Sequence, residues 1–235
     1  MSQRAQRVTV PDGEFDLPLW LPSAPTGPGL VLIQEIYGLD GYLKSVASEL
    51  ASLGYVVAVP DLFWRDVPNW SSGHDERGLA ASMDVVSRFD QKLGLSDVLA
   101  SLHHLRGLPE VEGGAGVFGF CLGGSLAFEA AAKSDPDVAV SFYGSSVPDE
   151  IGLLPEVTCP VQFHFGGQDP YIPRPRIQLV VNAVAGHPGA EIHIQEQAGH
   201  AFHNHVAPMF HNAEAAAVAW RLTTGFLART LPTPA

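Results

Sequence analysis

The feature that most limits what this chain can become is the alternation of short apolar runs with longer segments of helical spacing. The runs fall at residues 30–33, 55–59, 116–118, 138–143, 161–165 and 191–194. Between and after them, 41–53, about 79–93, 96–105, 122–133, 173–185 and 213–229 carry helix-forming composition or an amphipathic repeat. Several runs, Leu30-Val31-Leu32-Ile33 among them, are apolar throughout, as strands covered on both faces must be. The reading is α/β: a mostly parallel central sheet flanked by helices on both faces.

Composition sets the size of that unit. A chain of 235 residues with 46% hydrophobic and 16% charged side chains can bury one large core, so residues 1–235 are expected to form one domain. Gly and Pro clusters at 22–29, 66–73 and 148–160 fall between elements and are too short for interdomain linkers. The segment 62–78, with Trp64, Trp70 and Pro68, has weak periodicity and is expected as a lid loop over one end of the sheet. A net charge of -12 argues against nucleic acid and anionic membranes as partners, since both demand clustered Lys and Arg. The N-terminal stretch has no apolar core of a secretory signal, and no run is long enough to span a bilayer; a cytoplasmic protein is expected.

The densest chemical signal is Gly119-Phe120-Cys121-Leu122-Gly123, a G-x-nucleophile-x-G turn with cysteine at its centre. It follows an apolar strand and opens a helix, the context such an elbow needs. The helix N-terminus favours a thiolate there; the plainer alternative is a buried structural thiol. Gly114-x-Gly116-x-x-Gly119 matches a dinucleotide fingerprint in letters only, because the strand lies inside it rather than before it.

A thiol nucleophile needs a base, and the base an orienting acceptor. Gly166-Gly167-Gln168-Asp169 and Gly199-His200-Ala201-Phe202 each follow a strand candidate, where ligands gather in open parallel sheets. The chain order Cys121, Asp169, His200 is that of α/β-hydrolases. His203, His205 and His211 crowd the same stretch, but no carboxylate or cysteine framework accompanies them, so no metal site is expected. Cys159, ahead of an apolar strand, reads as a small buried hydrophobe.

With Gln34-Glu35-Ile36-Tyr37-Gly38, Pro60-Asp61-Leu62, Gly119-Phe120-Cys121-Leu122-Gly123-Gly124, Gly166-Gly167-Gln168-Asp169 and Gly199-His200-Ala201-Phe202, the sequence resembles the dienelactone hydrolase (carboxymethylenebutenolidase) family over nearly its whole length. The resemblance implies an α/β-hydrolase fold, Glu35 as the activator of Cys121, and the backbone N–H groups of Leu122 and Ile36 as the oxyanion hole. It also implies three substrate-binding positions. Two are occupied by arginine in members acting on dienelactone and correspond here to Leu79 and Asn204; Arg77 stands close to the first, and Tyr143 matches a pocket tyrosine. Neither leucine nor an amide replaces a guanidinium on a carboxylate.

The expectation is a cysteine hydrolase that cleaves a small-molecule ester or lactone through a thioester, without a cofactor, as a monomer or weak homodimer. Two alternatives remain at this stage: a general carboxylesterase or thioesterase for neutral substrates, and a redox-responsive or ligand-binding protein without turnover.

Overall fold

The computed structural model describes residues 2–234. Eight strands form one sheet in the order β1-β2-β4-β3-β5-β6-β7-β8. They are β1 (Ser2–Val10), β2 (Gly13–Leu21), β3 (Gly27–Ile33), β4 (Val56–Ala58), β5 (Val111–Phe120), β6 (Ala139–Phe142), β7 (Val161–Gly166) and β8 (Ala190–Gln195). From β4 to β8 every pair is parallel, while β1 and β2 make an antiparallel hairpin that joins the sheet through β2 and β4.

That hairpin is absent from the expected strands. Phe15, Leu17 and Leu19 alternate with Glu14, Asp16 and Pro18, so up to Leu19 β2 buries one face only and has no continuous apolar run there. On the edge strand β1, Arg4 pairs with Glu110 at 2.6 Å and Arg7 with Asp16 at 3.1 Å, charges that protect an open sheet edge. The six expected strands appear with shifted ends; β5 begins at Val111 rather than 116, its first residues being glycine-rich and partly exposed.

Helices α1 (Gly41–Ser52) and α7 (Ala213–Thr230) cover one face; α3 (Gln91–Arg106), α4 (Leu122–Lys133) and α6 (Arg174–Val184) cover the other. The two-residue period of the strands sorts the core accordingly. Phe120 meets Tyr42 of α1, Phe118 meets Trp220 of α7, and Phe163 meets Phe128 of α4. Helix α2 (Glu76–Ser87) stands apart from these layers. The helix expected over 79–93 is the end of α2 and the start of α3, cut where α2 stops at Ser87 and Asp90 caps α3 by accepting from Lys92 N at 2.9 Å; Asp75 caps the start of α2 by accepting from Gly78 N at 2.7 Å. Within the expected loop 148–160 lie a short helix, α5 (Val147–Glu150), and a 3-10 segment (Ile151–Glu156).

The segment 62–78 is strapped down rather than free. Trp70 Nε1 donates to Ile36 O at 3.2 Å, Leu39 N to Trp70 O at 3.2 Å, and Ser72 N to Tyr37 O at 3.2 Å. Among the described residues no helix is long and apolar enough to cross a membrane.

Candidate active site

The carboxyl ends of β3, β5, β7 and β8 converge on one sheet edge. Cys121 is the single residue between β5 and α4, and it sits at φ 53°, ψ -113°, a backbone conformation that L-residues rarely adopt and that costs roughly 1–3 kcal/mol. The surrounding glycines are demanded by backbone contact. A Cβ on Gly119 would lie 1.9 Å from Gly123 O, and one on Gly123 would lie 2.3 Å from Ile33 O. Gly123 N donates to Gln34 O at 3.0 Å, and Cys121 N to Phe142 O at 2.9 Å, so neighbouring strand ends hold the turn.

Cys121, His200 and Asp169 meet. His200 Nε2 lies 3.2 Å from Cys121 Sγ, and His200 Nδ1 lies 2.7 Å from Asp169 Oδ2. The other carboxylate oxygen of Asp169 accepts from Tyr171 N at 2.8 Å and Ile172 N at 3.1 Å, which fixes the side chain. Burial alone would depress the basicity of His200; the charges of and hydrogen bonds to Cys121 and Asp169 outweigh it and hold the pKa well above the usual histidine range. Ala201, next along, has φ 51°, so strain gathers on both sides of the sulfur–imidazole contact.

Glu35 follows β3 and is buried. Burial first, then the nearby charge of Asp40, pushes its pKa up to about 7 against the opposing hydrogen bond from Asn204. Asn204 Nδ2 donates to Glu35 Oε2 at 2.7 Å, whereas Oε1 is buried without a partner. The amide orientation is set by Val206 N, which donates to Asn204 Oδ1 at 3.1 Å.

A cavity of about 320 Å³ opens beside the sulfur. Glu35, Cys121 and His200 line it, with Ile36 and Leu122, whose N–H groups are the expected oxyanion donors; Leu122 is the first residue of α4, where a helix leaves N–H groups without intrahelical acceptors. The rest of the wall includes Tyr37, Leu79, Met83, Val86, Tyr171 and Phe210.

Of the substrate-binding positions implied by resemblance, only Leu79 lines the cavity. Asn204 is fully buried and spends its amide on Glu35. Tyr143 is also fully buried and packs its ring 5.2 Å from that of His200, behind the site. Arg77 is exposed and is absent from the cavity wall. No residue of 62–78 lines the cavity; the wall expected from a lid loop is supplied by α2 instead. Met83 and Val86 were missed at the sequence level although they stand four and seven residues after Leu79, the spacing of one helix face. Tyr171 and Phe210 lie on loops and gave no periodic signal.

A parallel sheet with an antiparallel edge, a strained elbow between strand and helix, and a Cys–His–Asp relay at the strands' carboxyl ends define an α/β-hydrolase-fold enzyme. Residues 15–231 match the dienelactone hydrolase family, and the chain belongs to it. It is 36% identical over 182 residues to a carboxymethylenebutenolidase of Pseudomonas putida, covering 77% of each chain. It is 32% identical over 221 residues to that of Pseudomonas sp. strain P51, covering 94% of this chain and 92% of the relative. The crystal structure of a putative dienelactone hydrolase from Klebsiella pneumoniae shares the fold with a TM-score of 0.76 at 21% identity, over 97% of this chain and 99% of the other.

Proposed function

We propose that this chain hydrolyses a carboxylic ester or lactone through a thioester on Cys121. The observation that carries the reading is the relay itself: sulfur 3.2 Å from Nε2, Nδ1 2.7 Å from a doubly anchored carboxylate, and a cavity beside the sulfur.

The sulfur attacks the carbonyl carbon, a C–S bond forms, and the carbonyl electron pair moves onto oxygen. The N–H groups of Leu122 and Ile36 receive that oxyanion, each worth about 3 kcal/mol of transition-state stabilisation. Collapse breaks the C–O bond, and His200, protonated at the outset because Cys121 and Asp169 hold its pKa well above the usual range, gives that proton to the leaving alkoxide. Water, deprotonated by His200, then attacks the thioester and expels the sulfur. Glu35 shares the cavity with Cys121 and ionises near neutrality, which suits the role its counterpart has in the family: taking the thiol proton as substrate enters.

Incubation with p-nitrophenyl acetate tests this. Wild type is expected to release a burst of nitrophenolate and to carry one acetyl group on the peptide containing Cys121. Cys121→Ala is expected to lose turnover by about 10³-fold or more and to carry none. Undiminished hydrolysis by Cys121→Ala would sink the reading.

A further inference from the structure

We infer that the substrate is an uncharged ester or lactone whose apolar acyl part packs against α2, and that a substrate bearing a free carboxylate is rejected. This rests on the thioester reading and adds to it the charge and polarity of what enters.

The cavity wall contains no lysine or arginine among the described residues. Its single basic group, His200, already faces Asp169. Two arginines come into question, and neither lines the cavity. Arg176 donates to Ser145 O at 3.4 Å and pairs with Asp149. Arg77 lies about 160° around α2 from Leu79, on the face turned away from the cavity. What the wall does hold is Glu35, a carboxyl group whose Oε1 has no hydrogen-bond partner.

A carboxylate entering here would lose its water for no cation but the imidazolium of His200, which is already paired with Asp169, and would approach a second carboxyl group. An acyl chain or lactone ring instead meets Leu79, Met83 and Val86, one stripe of α2, with Phe210 and Tyr171 completing the wall. At about 320 Å³ the space is at the small end of ligand sites, which suits a compact acyl group. Met83 and Tyr171 are more than half exposed, so the apolar surface continues to the cavity mouth. The arrangement also serves turnover, because hydrolysis creates a carboxylate in a site that favours its departure.

The test compares charge at constant shape. Alkylation of Cys121 by iodoacetamide and by iodoacetate is followed at about 0.15 M salt, where long-range repulsion is screened. The rate ratio is normalised to that of free cysteine. The ratio at Cys121 is expected to exceed the free-thiol ratio by about tenfold or more, and Leu79→Arg is expected to return it toward that of free cysteine. In turnover, a neutral methyl ester should exceed the corresponding free acid by about 100-fold in kcat/KM. Met83→Ala should lower kcat/KM for a butyryl ester by about tenfold relative to an acetyl ester. A normalised alkylation ratio at or below one, or equal turnover of acid and methyl ester by a Cys121-dependent enzyme, overturns the inference on charge alone. Hydrolysis that survives Cys121→Ala defeats the thioester reading instead, so the two failures are distinct.

Discussion

Asn204 grips one oxygen of Glu35 at 2.7 Å and leaves the other buried without a partner. The neutral acid fits this site better than its anion, and the linkage follows from the direction of the shift. The folded pKa, about 7, is raised above the ordinary 4.5, so the folded chain binds this proton more tightly than the unfolded chain. The resulting stabilisation is complete below the unfolded pKa and is lost as pH rises through about 7. Glu35→Gln keeps the acceptor for Asn204 and cannot ionise. Its stability relative to wild type should therefore rise between pH 5 and pH 8, by about 2.5 kcal/mol. Urea melts at both pH values measure it; a difference that does not change with pH would contradict the burial argument.

Asp169 has separable duties. Oδ1 holds the turn through Tyr171 N and Ile172 N, and Oδ2 holds His200 Nδ1. Asp169→Asn can keep the first duty, while its amide NH2 faces a ring nitrogen that must itself donate. The variant should melt within a few degrees of wild type yet lose about 10³–10⁴-fold in kcat/KM, by the wrong-tautomer effect. A matching collapse in melting temperature would mean that the carboxylate is structural first.

How much of this was legible in the sequence depends on whether a residue's environment is local. Cys121 was readable because the elbow's geometry writes itself into flanking glycines: Gly119 and Gly123 each stand where a Cβ would strike backbone. Asp169 and His200 were readable because each stands on the loop that follows a strand. The hairpin β1–β2 escaped because an edge sheet covered on one face alternates, as Phe15, Leu17 and Leu19 do, instead of running apolar. Tyr143 and Asn204 were placed in the cavity by correspondence alone. Which side of the sheet edge a loop residue faces is decided by long-range packing, here on His200 and Glu35, that no local pattern carries.

The glycine argument makes its own prediction. Gly123→Ala places a methyl 2.3 Å from Ile33 O, a backbone atom that can yield only if β3 shifts, so a loss of about 3–5 kcal/mol is expected. Gly152→Ala, where a Cβ meets nothing within 4 Å, should fall within about 0.5 kcal/mol of wild type. Thermal melts of the pair distinguish backbone collision from a general intolerance of substitution in glycine-rich loops.

The strap across residues 36–40 offers a test of how the oxyanion donors are held. Ile36 lines the cavity, and its carbonyl accepts from Trp70 Nε1 at 3.2 Å. Trp70→Phe keeps most of the ring volume and removes that donor, so the loop gains freedom at the residue whose N–H is proposed to meet the developing charge. Since such a hydrogen bond is worth about 1 kcal/mol, and the N–H acts only when the oxyanion forms, kcat should fall by roughly fivefold with KM little changed. Single-turnover acylation should slow by the same factor, because the first oxyanion forms in that step. If acylation keeps its wild-type rate while KM rises, the strap shapes the cavity for binding, and Ile36 is not held by Trp70 for the chemistry.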